Sequence, residues 1–323
     1  MSETDPAAME ERRRVDFILQ AQGICDRYLP RIADPAGKRV LVVGCGAGTE
    51  SVWALARGAR ELVGIDSEAQ SESAARRVLA EMGHPSPPPF RFLRHPAERA
   101  DELEGTFDLV LSVNTIEHLA DPGIVLAACG RVLEPTAGRI AVFADPLYHS
   151  SVGSHLEHEP WEHFWGDWEE IRRKRSQVDD FHGHYLRERS VADFIDEFNA
   201  LNRYRPADYL DAVARSGLVP IDFGFVYDRN LDRLAEHLPR LAERAPAGTT
   251  PLDFALEGIW FVLVRPEGVS RELAAERGPF APDFAAEQRV RELTARVAEL
   301  EQRLGAGKGL AGRFAAALRR RRR

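Results

Sequence analysis

The spacing of apolar residues changes several times along the chain. Over 11–29, Val15, Ile18, Leu19, Cys25 and Leu29 fall on one side at helical spacing, which predicts a helix. From residue 39 the pattern turns to short, β-branched apolar runs bounded by Gly, Pro or charge. RVLVVG (39–44), ELVGID (61–66), FRFLRH (90–95), FDLVLSVN (107–114) and GRIAVFADP (138–146) read as five strands. Between them, TESVWALARGA (49–59), EAQSESAARRVLAEMG (68–83) and PGIVLAACGRVLEP (122–135) read as helices. Strands alternating with helices in this rhythm predict an α/β fold with a parallel sheet and helices on its faces.

After Pro146 the rhythm breaks. Residues 147–204 are polar, aromatic and rich in histidine, and are read as an insertion. A helix over 205–217, strands over 218–227 and 258–266, and a helical stretch near 231–244 follow. Over 284–304, Val290, Leu293, Val297, Leu300 and Leu304 alternate three and four apart, the seam of a short coiled coil. The seam fits self-association or a single helix packed on the body. Beyond the GAGKG hinge, Leu310, Phe314 and Leu318 share one helical face, and five arginines end the chain. An amphipathic helix with a cationic end points to an anionic membrane surface, or is simply a solvated terminus.

Charge sharpens this division. The chain carries −8, but seven basic and no acidic residues follow Leu304, so the remainder carries −15. An acidic body excludes a general nucleic-acid footprint. No run approaches the length of a membrane span, and the first residues show no secretory signal. Cys25, Cys45 and Cys129 are scattered and read as reduced thiols of a cytoplasmic protein.

The candidate chemistry starts at VLVVGCGAGTES (40–51). Gly44, Gly46 and Gly48 alternate with other residues, a tighter turn than the dinucleotide pattern G-x-G-x-x-G. Asp66 closes the second strand, where a carboxylate can accept from ribose hydroxyls or cap a helix. FDLVLSVNTIEHLADP (107–122) completes the set. Together these stretches resemble the class I S-adenosylmethionine-dependent methyltransferase family, over roughly 35–150 and more weakly to about 266.

The resemblance implies a doubly wound, Rossmann-like sheet of seven strands with the last antiparallel, and S-adenosyl-L-methionine as cofactor. It implies that Gly44, Gly46 and Gly48 pass under the cofactor, that Asp66 holds its ribose, and that Ala97 offers a backbone N–H to adenine. Ser112 to Asn114 would border the methionine moiety, and Glu117–His118 would form a structural element on the cofactor side. It divides the chain into an N-terminal helical cap (1–34), a methyltransferase domain (35–268) with a substrate lid (147–204), and a tail (284–323). Two positions depart from the family: Val42 and Pro96 stand where an acid is common.

Ligands of such sheets lie beyond the carboxyl ends of the strands, so the stretch after strand 5 covers the acceptor. It holds His149, His155, His158, His163, His182 and His184, interleaved with Trp161, Phe164, Trp165 and Trp168. Three readings stand: a lid whose aromatics stack on an acceptor while a His moves its proton, a metal site, or a loop packed by its own aromatics. Irregular spacing argues against the metal. The stretch GSHL…PWEHFW resembles a pattern of small-molecule and sugar-directed members, which singles out His155 and His163 as acid/base or acceptor-orienting residues. The expected activity is O-methylation of a sugar or surface-glycan intermediate beside the inner membrane. A natural-product hydroxyl or amine, or a non-catalytic cofactor-binding scaffold, are the alternatives.

Overall fold

The computed structural model describes residues 6–68, 70–153, 159–175 and 201–269. His155, His158, His182, His184, the 284–304 seam and the arginine-rich end lie outside them.

Four of the five apolar runs are flanked on both sides by another strand, and the FRFLRH run lies at the sheet edge. β1 (Arg39–Val43) pairs in parallel with β2 (Glu61–Asp66) and with β4 (Leu109–Val113). β3 (Phe90–Arg94) adds outside β2, and β5 (Arg139–Ala144) outside β4. β7 (Leu256–Val264) joins β5 antiparallel, and β6 (Val219–Tyr227) pairs antiparallel with β7 at the edge. The order is β3-β2-β1-β4-β5-β7-β6.

Successive strand residues point to opposite faces, so each central strand feeds two apolar layers. Val40, Val42, Leu62, Leu109, Leu111 and Phe143 pack under α1 (Pro6–Tyr28), α2 (Thr49–Ala56) and α3 (Glu72–Glu81). Leu41, Val43, Val63, Ile65, Val110 and Val142 pack under α4 (Pro122–Val132) and a helix at Pro206–Ser216. The insertion before that helix carries α5 (Trp168–Arg175), so Pro206–Ser216 is α6; α7 (Leu234–Arg244) and α8 (Pro251–Phe254) join β6 to β7.

The elements follow the sequence pattern, with shifts at their ends that have local causes. α3 starts at Glu72 rather than 68, because the Asp66 carboxylate is engaged by the amides of Gly46 and Glu68 and caps no helix. β4 stops at Val113 because Asn114 turns left-handed, at φ 47°. β7 runs two residues earlier at each end than expected, and Pro266 follows it. No helix among the described residues is long and apolar enough to cross a membrane.

Candidate functional site

The strand ends bring the glycine turn, Asp66, Ala97 and Asn114 to one edge of the sheet, each just beyond or at the carboxyl end of β1 to β4. The three glycines are there for different reasons. Gly44 (φ +71°) faces the Thr115 side chain so closely that a Cβ would overlap it. Gly48 (φ +101°) precedes α2, and a Cβ there would meet the Phe92 ring at 3.2 Å. Of the three, Gly46 (φ +44°) faces open space among the described residues, with none of their atoms within 4 Å of an added Cβ. The first and third serve packing, while the middle one leaves room for a ligand against the backbone.

Asp66 is locked in place from both sides. Its Oδ2 accepts from the Gly46 N–H at 2.9 Å and its Oδ1 from the Glu68 N–H at 3.0 Å. Its carbonyl accepts from the His95 N–H at 2.8 Å, which ties β2 to the chain leaving β3. Each carboxylate oxygen keeps a second lone pair for hydroxyl donors. Ala97 opens the 3-10 turn Ala97–Glu102 and is half-buried. Asn114 is exposed, and its N–H donates to the Phe143 carbonyl at 2.8 Å, joining the ends of β4 and β5. The Asn202 side chain donates to the carbonyls of Ile116 and Leu119, which holds the Glu117–His118 turn. Val42 is buried in the apolar layer and brings no polar atom to this edge.

The insertion behaves differently from a row of exposed stacking groups. Trp161 is fully buried among Leu234, Leu238 and Leu241 of α7 and Phe254 of α8. Trp165 lies parallel to His237, ring centroids 5.7 Å apart, with the Arg240 guanidinium 4.5 Å from its ring. Phe164 packs against Tyr148, His163 and Phe254. His163 is buried with Nε2 2.9 Å from the Tyr148 carbonyl oxygen. His149 is 2 % exposed in the same aromatic nest, and burial, with His163 next, pushes its pKa down to about 4, so it is neutral at pH 7. His155, the other histidine singled out by sequence, lies outside the described residues.

Two acids at this edge were missed by the sequence reading. Asp145 follows β5 directly and is half-buried. Burial first, then the repulsion of Glu257 and Asp228, pushes its carboxyl up to about 7, against the pull of Arg229. Glu257 is buried and takes the Arg229 guanidinium, while Asp228 accepts from the amides of Ser151 at 2.6 Å and Asn230 at 2.8 Å. Glu50, on the first turn of α2, is also pushed up to about 7, by burial. The only signal for either was position: one follows a strand, the other a glycine turn. Among the described residues no group of three or more His, Cys, Asp and Glu side chains could hold a metal ion. The three cysteines are buried, and burial raises each thiol, so none is a ready nucleophile.

Comparison with known proteins finds relatives for the segment that builds this edge. Residues 40–136, from β1 through α4, match the model of a family described as a methyltransferase domain. A ubiquinone biosynthesis O-methyltransferase of Dechloromonas aromatica (strain RCB) is 34% identical over 122 residues, 38% of this chain and 46% of that protein. One of Hahella chejuensis (strain KCTC 2396) is 41% identical over 102 residues, 31% of this chain and 41% of that protein. The chain thus spans less than half the length of these curated relatives. A solved geranyl diphosphate C-methyltransferase from Streptomyces coelicolor A3(2) superposes with a TM-score of 0.44 at 13% identity, covering 75% of this chain and 78% of that one. The fold rests on the sheet order rather than on that likeness. The matched segment contains the glycine turn, Asp66, Ala97 and Asn114, so the residues that carried the resemblance lie within a stretch similar to methyltransferase domains.

Proposed function

We propose that this protein transfers the methyl group of S-adenosylmethionine to a hydroxyl oxygen of a small acceptor. The observation that carries the reading is the pairing of open space over Gly46 with the fixed Asp66 carboxylate, 2.9 Å from the Gly46 amide. That pairing offers a passage for the phosphate-free, sulfur-bearing chain of the cofactor and acceptors for two ribose hydroxyls, and the residues fit the cofactor. When bound, the cofactor supplies a methyl group already activated on a sulfonium. This chain's residues then position and deprotonate. Asp66 would take the ribose, the Ala97 backbone the adenine edge, and Asn114 would border the methionine moiety. Asp145, one residue beyond β5 and two beyond the carbonyl bonded to Asn114, would take the acceptor's proton, since a carboxyl titrating near 7 is half-ionised at neutral pH. His163 would orient the lid through its bond to the Tyr148 carbonyl rather than act as a base.

The oxygen acceptor rests on the relatives' names as O-methyltransferases. A sugar or glycan acceptor would have stacked on Trp161 and Trp165, which this fold spends on packing. Sugar and phenolic hydroxyls are therefore separate arms of an acceptor screen. The first test is calorimetric titration of the full chain with S-adenosylmethionine and S-adenosylhomocysteine. Micromolar binding that is lost in Asp66→Ala is the expected result. A folded protein that binds neither ligand overturns the reading.

A further inference from the structure

We propose that Glu50, with Gln22 beside it, receives the ammonium group at the amino-acid end of S-adenosylmethionine. The inference rests on the cofactor reading above. The family commonly ends strand 1 with an acid, and here Val42 is buried in an apolar layer instead. The negative charge nearest in sequence to the turn is moved to its far side. Glu50 is the second residue of α2, two positions beyond Gly48.

Three observations locate an unmet demand there. Glu50 keeps some accessible surface while Thr49 and Ser51 on either side are buried. Its carboxylate accepts from its own backbone N–H, and no Lys, Arg or His pairs with it among the described residues. Glu50 is thus partly enclosed, and this burial pushes its carboxyl up to about 7. α1 lies against this turn, since Gln22 on it is bonded to Thr49, and the glycine turn leads directly into the residue. Gln22, on α1, is 7% exposed and donates from Nε2 to the carbonyls of Ile18 at 3.2 Å and Thr49 at 3.1 Å. Both partners are acceptors, so the amide orientation is fixed, and its Oε1 has no partner among the described residues. A carboxylate without a cation and a buried carbonyl without a donor thus flank Thr49. An ammonium brings three N–H donors and one positive charge, which answers both.

The competing account is that Glu50 only complements the dipole of α2. The two accounts separate by ligand. The full chain is titrated calorimetrically with S-adenosylhomocysteine and with 5′-methylthioadenosine, which keeps the nucleoside thioether and lacks the amino acid. Glu50→Gln is expected to weaken S-adenosylhomocysteine at least tenfold and to leave 5′-methylthioadenosine within twofold. Gln22→Met is expected to act in the same direction, about fivefold. Equal losses for both ligands, or no loss for either, overturn the assignment. A wild-type protein that binds neither overturns the cofactor reading beneath it.

Discussion

The Asp66 carboxylate and the Gly46 amide form one unit: the 2.9 Å hydrogen bond between them fixes the end of β2 against the turn that follows β1. The acid that would bind ribose therefore also holds the turn over which the ligand would pass. Asp66→Ala removes this bond and the one to Glu68, so it is expected to cost about 2 kcal/mol of stability, from two charge-assisted bonds partly replaced by water. Cofactor affinity should fall at least tenfold. Urea denaturation and calorimetry on the same variant measure the two effects separately. A loss of affinity with unchanged stability would show that Asp66 does not brace the turn.

The glycines separate packing from binding. Gly44→Ala pushes a methyl into Thr115 at a left-handed backbone position, and about 2–4 kcal/mol of destabilisation is expected. Gly46→Ala meets no atom of the described residues and carries the backbone cost, about 1 kcal/mol. Its methyl occupies the open space instead. Thermal melts should rank Gly44→Ala far below Gly46→Ala, while Gly46→Ala should lose cofactor binding in a protein that is still folded.

Trp161 tests what the aromatic lid is for. It is fully buried against α7 and α8, so Trp161→Ala should cost about 3–5 kcal/mol through the cavity it leaves. Under conditions where the variant stays folded, the KM for an acceptor should change less than threefold. A large rise in KM with little loss of stability would restore the stacking role.

These sites show where sequence was enough. β1, β2, β4 and β5 were legible because both faces of each are covered, which forces continuous apolar runs, while the edge strand β3 keeps exposed arginines. The turn at Gly44, Gly46 and Gly48 and the strand end at Asp66 were legible as local structure, because both constrain residue type locally. The destination of Trp161 was not, since nothing near it in sequence announces Leu234 and Leu238 as its neighbours. The demand around Glu50 was hidden for the same reason: it depends on α1 folding back to place Gln22 on Thr49, across 27 residues.

Asp145 is the sharpest case, because its properties come from residues far along the chain. Glu257 and Asp228 face it from β7 and the end of β6, and Arg229, the one cation nearby among the described residues, is held by Glu257. Its carboxyl is raised from an ordinary 3.8 to about 7. Between these values the unfolded chain has released the proton while the folded one retains it. The folded state then binds more protons, so this group's contribution to stability is full below about 4, declines as pH rises, and is gone above about 7. Asp145→Asn removes that decline. The melting temperature of the variant relative to wild type should therefore climb from pH 5 to pH 8. Catalysis runs the other way: a base must be ionised, so wild-type rates should rise with pH and level off above about 7. The variant should lose that rise and at least a hundredfold in kcat, with cofactor affinity unchanged. A variant that gains stability at pH 8 but keeps its rate profile would leave Asp145 a buried acid of the fold and move the search for the base to His155.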